Sequence, residues 1–179
     1  GLSGGALNLI STQTASSSST IDFTSGIDST YDEYVFKFYD IHPATDNTNL
    51  SFQGNAVGGS GYNETITSTY FRSQHDEGDT NASLQYESSY DQAQGTSFQI
   101  LSQGVGNDND QSCSGYLHLF NPSSTTFVKH YISRFHNAHN NNFAMSGFSA
   151  GYFNTTSAID EIQFKMSSGN IDSGVIKLY

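Results

Sequence analysis

The stretch Tyr34-Val35-Phe36-Lys37-Phe38-Tyr39 decides how the rest of the chain is read. In an extended chain successive side chains alternate between faces, so Tyr34, Phe36 and Phe38 point one way and Lys37 the other. The same alternation recurs in Leu50-Ser51-Phe52, Tyr116-Leu117-His118-Leu119-Phe120 and Phe127-Val128-Lys129-His130-Tyr131-Ile132. It returns in Ile162-Gln163-Phe164-Lys165-Met166 and Val175-Ile176-Lys177-Leu178-Tyr179. Weaker candidates run from Ala6 to Thr14, Thr20 to Phe23, Thr65 to Arg72, Ser83 to Tyr86, Phe98 to Leu101 and Phe143 to Phe153. Together they predict roughly ten to twelve short strands, at the spacing expected of a sandwich or barrel.

Between the strands lie turn residues, as in His42-Pro43-Ala44-Thr45-Asp46-Asn47, Gly58-Gly59-Ser60-Gly61 and Ser167-Ser168-Gly169-Asn170. Phe120-Asn121-Pro122-Ser123-Ser124 and Phe153-Asn154-Thr155-Thr156-Ser157 read as similar hairpins, without the fixed period of a solenoid. Ser16 to Thr20 reads as an exposed turn, and both prolines are placed in turns. No helical periodicity lasts longer than a turn. The economical architecture is therefore all-β: an antiparallel β-sandwich, jelly-roll-like, with one domain over residues 6–179. Residues 1–5, Gly-Leu-Ser-Gly-Gly, read as an N-terminal tether.

Composition narrows the function. The 179 residues include 13 Phe and 11 Tyr, far more aromatic content than a disordered polar chain carries. The formal net charge is -11, from 17 acids against 6 bases, which opposes binding to phosphate backbones; nucleic acid is not an expected partner. No stretch approaches the ~20 apolar residues of a membrane span, so no membrane partner is expected either. Cys113 is the single cysteine, so no internal disulfide forms and packing, pairing or oligomerisation must supply stability.

Several motifs match by letter and fail by context. Gly147-Phe148-Ser149-Ala150-Gly151 fits G-x-S-x-G, but a nucleophile elbow needs a strand-to-helix turn and a later His, and no His follows His139. His136 and His139 form a close pair in what reads as an Asn-rich loop, with His118 and His130 on neighbouring strands. A zinc site would need three or four converging ligands, so no metal and no other cofactor is expected. Asn107-Asp108-Asn109-Asp110 carries oxygen ligands but lacks the Gly and Glu of an EF-hand loop, and reads as a capping turn or solvated loop. Acids such as Asp32, Glu33, Asp76, Glu77 and Glu87 form no recognisable glycosidase pair. No catalytic residue is assigned. Tyr31, Tyr62, Tyr70, Tyr86 and Tyr90 sit near turns or among polar residues, and read as interface aromatics or as platforms for a glycan.

The segment Ile21-Asp22-Phe23-Thr24-Ser25-Gly26-Ile27-Asp28-Ser29-Thr30-Tyr31-Asp32-Glu33-Tyr34, with Ile41-His42-Pro43-Ala44-Thr45 after it, resembles virion structural proteins of marine tailed bacteriophages. The resemblance continues through Leu119-Phe120-Asn121-Pro122-Ser123-Ser124-Thr125-Thr126 and Asn154-Thr155-Thr156-Ser157-Ala158. It closes with Ile162-Gln163-Phe164 and, after Ser173-Gly174, with Ile176-Lys177-Leu178-Tyr179. It implies a β-rich decoration, head-fibre or tail-fibre module without assigned activity. The expectation is a non-enzymatic protein on the particle exterior, aiding host attachment and joined to other virion proteins through its N-terminal end. A homo-oligomer, a trimer in a fibre, is expected. The alternative is a carbohydrate-binding module for a bacterial surface glycan.

Overall fold

A computed structural model describes residues 7–179. The expected tether, residues 1–5, lies outside the described residues. Thirteen strands follow one another: β1 (Ser11–Ser18), β2 (Ile21–Phe23), β3 (Glu33–Pro43), β4 (Thr48–Ala56), β5 (Ile66–Asp76), β6 (Ala82–Tyr86), β7 (Ala93–Gly95), β8 (Gln99–Val105), β9 (Cys113–Phe120), β10 (Lys129–His139), β11 (Phe143–Phe153), β12 (Ile159–Met166) and β13 (Ile171–Leu178). Every pairing is antiparallel.

The fold is the all-β antiparallel sandwich that alternation predicts, and its strand order is that of a jelly roll. The chain runs out through β1, β2, β3 and β4 and returns through β8, β9, β12 and β13. Each outgoing strand pairs a returning one: β1 with β13, β2 with β12, β3 with β9, β4 with β8. Successive strands of this rolled hairpin alternate between a long sheet, β1-β13-β3-β9, and a short one, β2-β12-β4-β8.

Two insertions modify the roll. Strands β10 and β11 are inserted between β9 and β12, and β5 to β7 between β4 and β8. They extend the long sheet past β9 through β10, β11 and β5, with β6 and β7 both on the far side of β5. A single bridge, His139 to Val105, joins β10 to β8 and brings the two sheets together at one corner, so the sandwich is nearly closed like a barrel.

The inward residues of both sheets form one continuous core. Its centre is aromatic. Phe164 of β12 meets Phe36 at 5.3 Å and Phe38 at 4.9 Å edge-on, and Phe23 at 6.1 Å. Phe52 extends the cluster to Tyr131 and Phe153. Such edge-to-face contacts add to the burial of area, which is the main stabilising term.

Several local expectations are corrected. His136 to His139 is not a loop but the end of β10, because pairing with β11 along its whole length overrides the weak strand preference of Asn and His. Ser16 to Ser18 belongs to β1, paired with β13. Pro43 is the last residue of β3, opposite Ile171, rather than a turn residue; a strand end tolerates its missing N–H. Strand β7 carries no hydrophobic alternation and could not be seen in the sequence. At Asp40 (φ 50°) a bulge interrupts the alternation of β3, leaving Tyr39 and Asp40 exposed and Ile41 buried. Opposite the bulge Gly174 (φ +125°) must be glycine, since a Cβ there would lie 2.8 Å from the Asp40 carbonyl oxygen.

Candidate functional site

The expected aromatic residues are scattered. Tyr31, before β3, packs edge-on against Tyr34 and accepts a hydrogen bond from Asn8 Nδ2 at 3.2 Å. Tyr62, in the β4–β5 connection, is half-buried; burial first, then the charges of Glu161 and Asp22, push its hydroxyl up to about 12. Tyr70 is a correction. It is fully buried on the inner side of β5, edge-on to half-buried Tyr90 at 5.6 Å, and offers nothing to a ligand. Only Tyr86 stands well out, at the end of β6.

The motifs set aside in the sequence occupy unreactive places. Ser149 lies in the middle of β11, buried, paired with Ser133 and Tyr70 of flanking strands, where no nucleophile elbow can form. His136 and His139, three apart on β10, point to opposite faces; His136 is exposed and His139 buried. Burial holds the His139 imidazole below its usual value, with Arg72 adding to the effect. Among the described residues no group of three His, Cys, Asp or Glu side chains is placed to hold a metal. Cys113 is buried and its thiol is pushed up to about 12 by that burial, so it is inert as a nucleophile.

The feature that assembles is the outer face of the extended long sheet. Pairing places Lys177 opposite Lys37, Lys37 opposite Tyr116, Tyr116 opposite Arg134, Arg134 opposite Phe148, Phe148 opposite Phe71, and Phe71 opposite Tyr86. Directly opposed residues share a face, so one row of seven side chains crosses six pairings on the side away from the core. Tyr116, Phe71 and Tyr86 are exposed. Phe71 and Phe148 stack in parallel at 4.8 Å, and the Arg134 guanidinium lies over the Phe148 ring at 5.1 Å.

The flanking rows are also uncharged or basic. On one side run Val35, His118, Ile132, Ala150 and Thr69; on the other Ser114, His136, Ser146, Ser73 and Leu84. Ile132 and Leu84 are exposed at 52% and 72%, so the face is apolar between its cations. None of these three rows contains Asp or Glu, although the chain has 17 of them. Carboxylates stand at its margins: Asp40 at the β3 bulge, whose backbone N–H donates to Ser114 Oγ at 3.0 Å, Glu33 against His118, and Asp91 accepting from the Tyr86 hydroxyl at 2.5 Å. Beside Arg134 a shallow hollow of about 210 Å³ is walled by Ser114, Tyr116, His136 and Ser146.

No protein-family model and no curated protein matches the chain.

Proposed function

We propose that this chain is a structural protein on the exterior of a tailed bacteriophage particle, a head decoration or head fibre, or else a tail-fibre module. It works by contact, not by turnover. Its partners are other virion proteins and further copies of itself, and it aids attachment to the host surface. The observation that supports contact is the outer face of the long sheet: an exposed aromatic and apolar surface on the opposite side of the sheet from the core, of the kind that marks an interaction site. The resemblance of Ile21 to Tyr34, Ile41 to Thr45, Leu119 to Thr126, Asn154 to Ala158 and Ile176 to Tyr179 to virion proteins supports the location. Gold-labelled antibody against the purified protein, applied to intact particles, should decorate their exterior in electron micrographs. Particles that carry none of this chain would refute the location.

A second reading, a carbohydrate-binding module, is favoured by the aromatic row itself. Planar rings on a sheet face suit the apolar faces of sugars, and Tyr116 keeps a hydroxyl for hydrogen bonding while that of Tyr86, which donates to Asp91, can still accept.

A further inference from the structure

We infer that the outer face of the long sheet binds an acidic polysaccharide, with Lys37, Lys177 and Arg134 facing its carboxylate or sulfate groups and Tyr116, Phe71 and Tyr86 its sugar rings. This rests on the reading of that face as a contact surface, and not on where the protein is located.

Charge distribution carries the inference. The chain has 6 Lys and Arg in all, and three of them, exposed Arg134 and half-buried Lys37 and Lys177, stand in the one outward-facing row. Of the others, Lys129 is buried with its ammonium donating to the carbonyls of Phe127 and Thr155, and Arg72 is paired with Glu87. Among the described residues none of the three cations of the row lies within ion-pair distance of a carboxylate. Lys37 and Lys177 are moreover direct cross-strand neighbours, and like charges in that relation repel.

A chain with 17 acids to choose from leaves this repulsion uncompensated. The cations are instead set over rings, Lys37 over Tyr179 at 5.3 Å and Lys177 over Tyr39 at 5.6 Å, contacts that leave their charge open to an anion. The hollow beside Arg134, with Tyr116, His136 and Ser146 around it, provides hydrogen-bonding groups next to a fixed guanidinium.

The alternatives fit less well. A second copy docking face to face about a two-fold axis at the middle of the row would set Arg134 against Arg134 of the other copy. Nucleic acid presents a phosphate at every nucleotide to a molecule of net charge -11. A polysaccharide with one acid per disaccharide spaces its charges more widely and offers apolar ring faces between them, which suits the adjacent Lys37 and Lys177, Arg134 one ring away across Tyr116, and the rings of Phe148, Phe71 and Tyr86 beyond.

The test is affinity electrophoresis of the whole chain in gels containing hyaluronan or κ-carrageenan, which carry one carboxylate or one sulfate per disaccharide, or uncharged dextran, with a single-stranded oligonucleotide and light scattering in parallel. Retardation is expected in at least one acidic gel, weakening as salt rises, with none in dextran. The two acidic gels separate carboxylate from sulfate recognition. Arg134→Ala and Lys37→Ala should each weaken retardation about threefold, and Tyr116→Ala about fivefold. Lys165→Ala, on the outer side of the short sheet over Phe98, should change nothing.

Absence of retardation in both acidic gels overturns the inference. So does equal retardation in dextran, retention of binding by the combined Lys37→Ala, Lys177→Ala, Arg134→Ala variant, or tighter binding of the oligonucleotide. A dimer that Arg134→Glu dissociates would assign the face to a second copy. Location on a particle is read by the antibody experiment, so either proposal can fail while the other stands.

Discussion

Replacing Phe164 by Ala should cost most of the margin by which this protein is folded. Phe164 is fully buried on β12, in the middle of the short sheet, with the rings of Phe36, Phe38, Phe23 and Phe52 within 6.4 Å. Truncating a buried Phe to Ala costs about 3–5 kcal/mol in lost transfer energy and cavity formation. Three of these neighbours are edge-on, and each such pair adds about 0.5–1.5 kcal/mol beyond area. The contributions overlap because the rings share one cluster, so about 5 kcal/mol is expected rather than the full sum. With a urea slope of about 2.5 kcal/mol per molar, the midpoint should fall by about 2 M.

The chain has no Trp, so the transition is best followed by near-ultraviolet circular dichroism of its 11 Tyr. Phe71→Ala serves as the comparison. It makes the same chemical change on the outer face, 41% exposed and stacked only on Phe148, and should cost about 1 kcal/mol or less. A Phe164→Ala midpoint within about 0.5 M of the parent, or equal losses for the two variants, would refute a core centred on Phe164.

Three further outcomes are expected. Burial pushes the Tyr131 hydroxyl up to about 12 from 10.0 and the Cys113 thiol up to about 12 from 9.0. The folded state therefore keeps protons that the unfolded state releases, and their contribution is intact below pH 9 and lost as pH climbs toward 12. Burial lowers Lys129 from 10.5, which acts in the opposite sense and raises stability as pH climbs through its folded value toward 10.5. Melting temperatures measured from pH 8 to 12 should thus fall less steeply in Cys113→Ala than in the parent, and an identical fall would contradict a buried thiol. Gly115→Ala would place a Cβ 2.4 Å from the Arg134 carbonyl oxygen and 2.7 Å from the Phe135 ring, neither of which can easily yield. It should destabilise by about 1–3 kcal/mol, lowering the melting temperature by several degrees, and an unchanged value would mean β9 and β10 are not so closely packed. Ser149→Ala should leave the chain folded and its behaviour toward p-nitrophenyl esters unchanged, because the side chain's nearest hydroxyl contact is Tyr131 at 3.5 Å; Ser149-dependent turnover would reverse that assignment.

The amino-acid sequence by itself determined that the chain is built of strands and which side of most strands faces inward. Alternation is a local property: Tyr34, Phe36 and Phe38 are buried as their spacing requires, and Phe143 to Phe153 became β11 with the same bounds. Local patterns also implied that Tyr116, beside inward Leu117, must face out. They failed where pairing outweighs propensity, as at His136 to His139, and where two adjacent aromatic residues leave the choice open. Tyr70 and Phe71 are such a pair, and only packing over Gly147 puts Tyr70 inside.

The tertiary structure alone decided which strands are neighbours. The row on the outer face joins residues from Lys37 to Lys177, which are far apart along the chain and become adjacent only because β13 returns beside β3 and the β10–β11 and β5–β6 insertions extend the same sheet. Strand order is set by long-range pairing and by the burial of two insertions against one roll, and neither leaves a periodic trace in the residues themselves. That is why Tyr86 was the only expected aromatic to take a place in the row, and why the gathering of three unpaired cations there had no counterpart in the linear sequence.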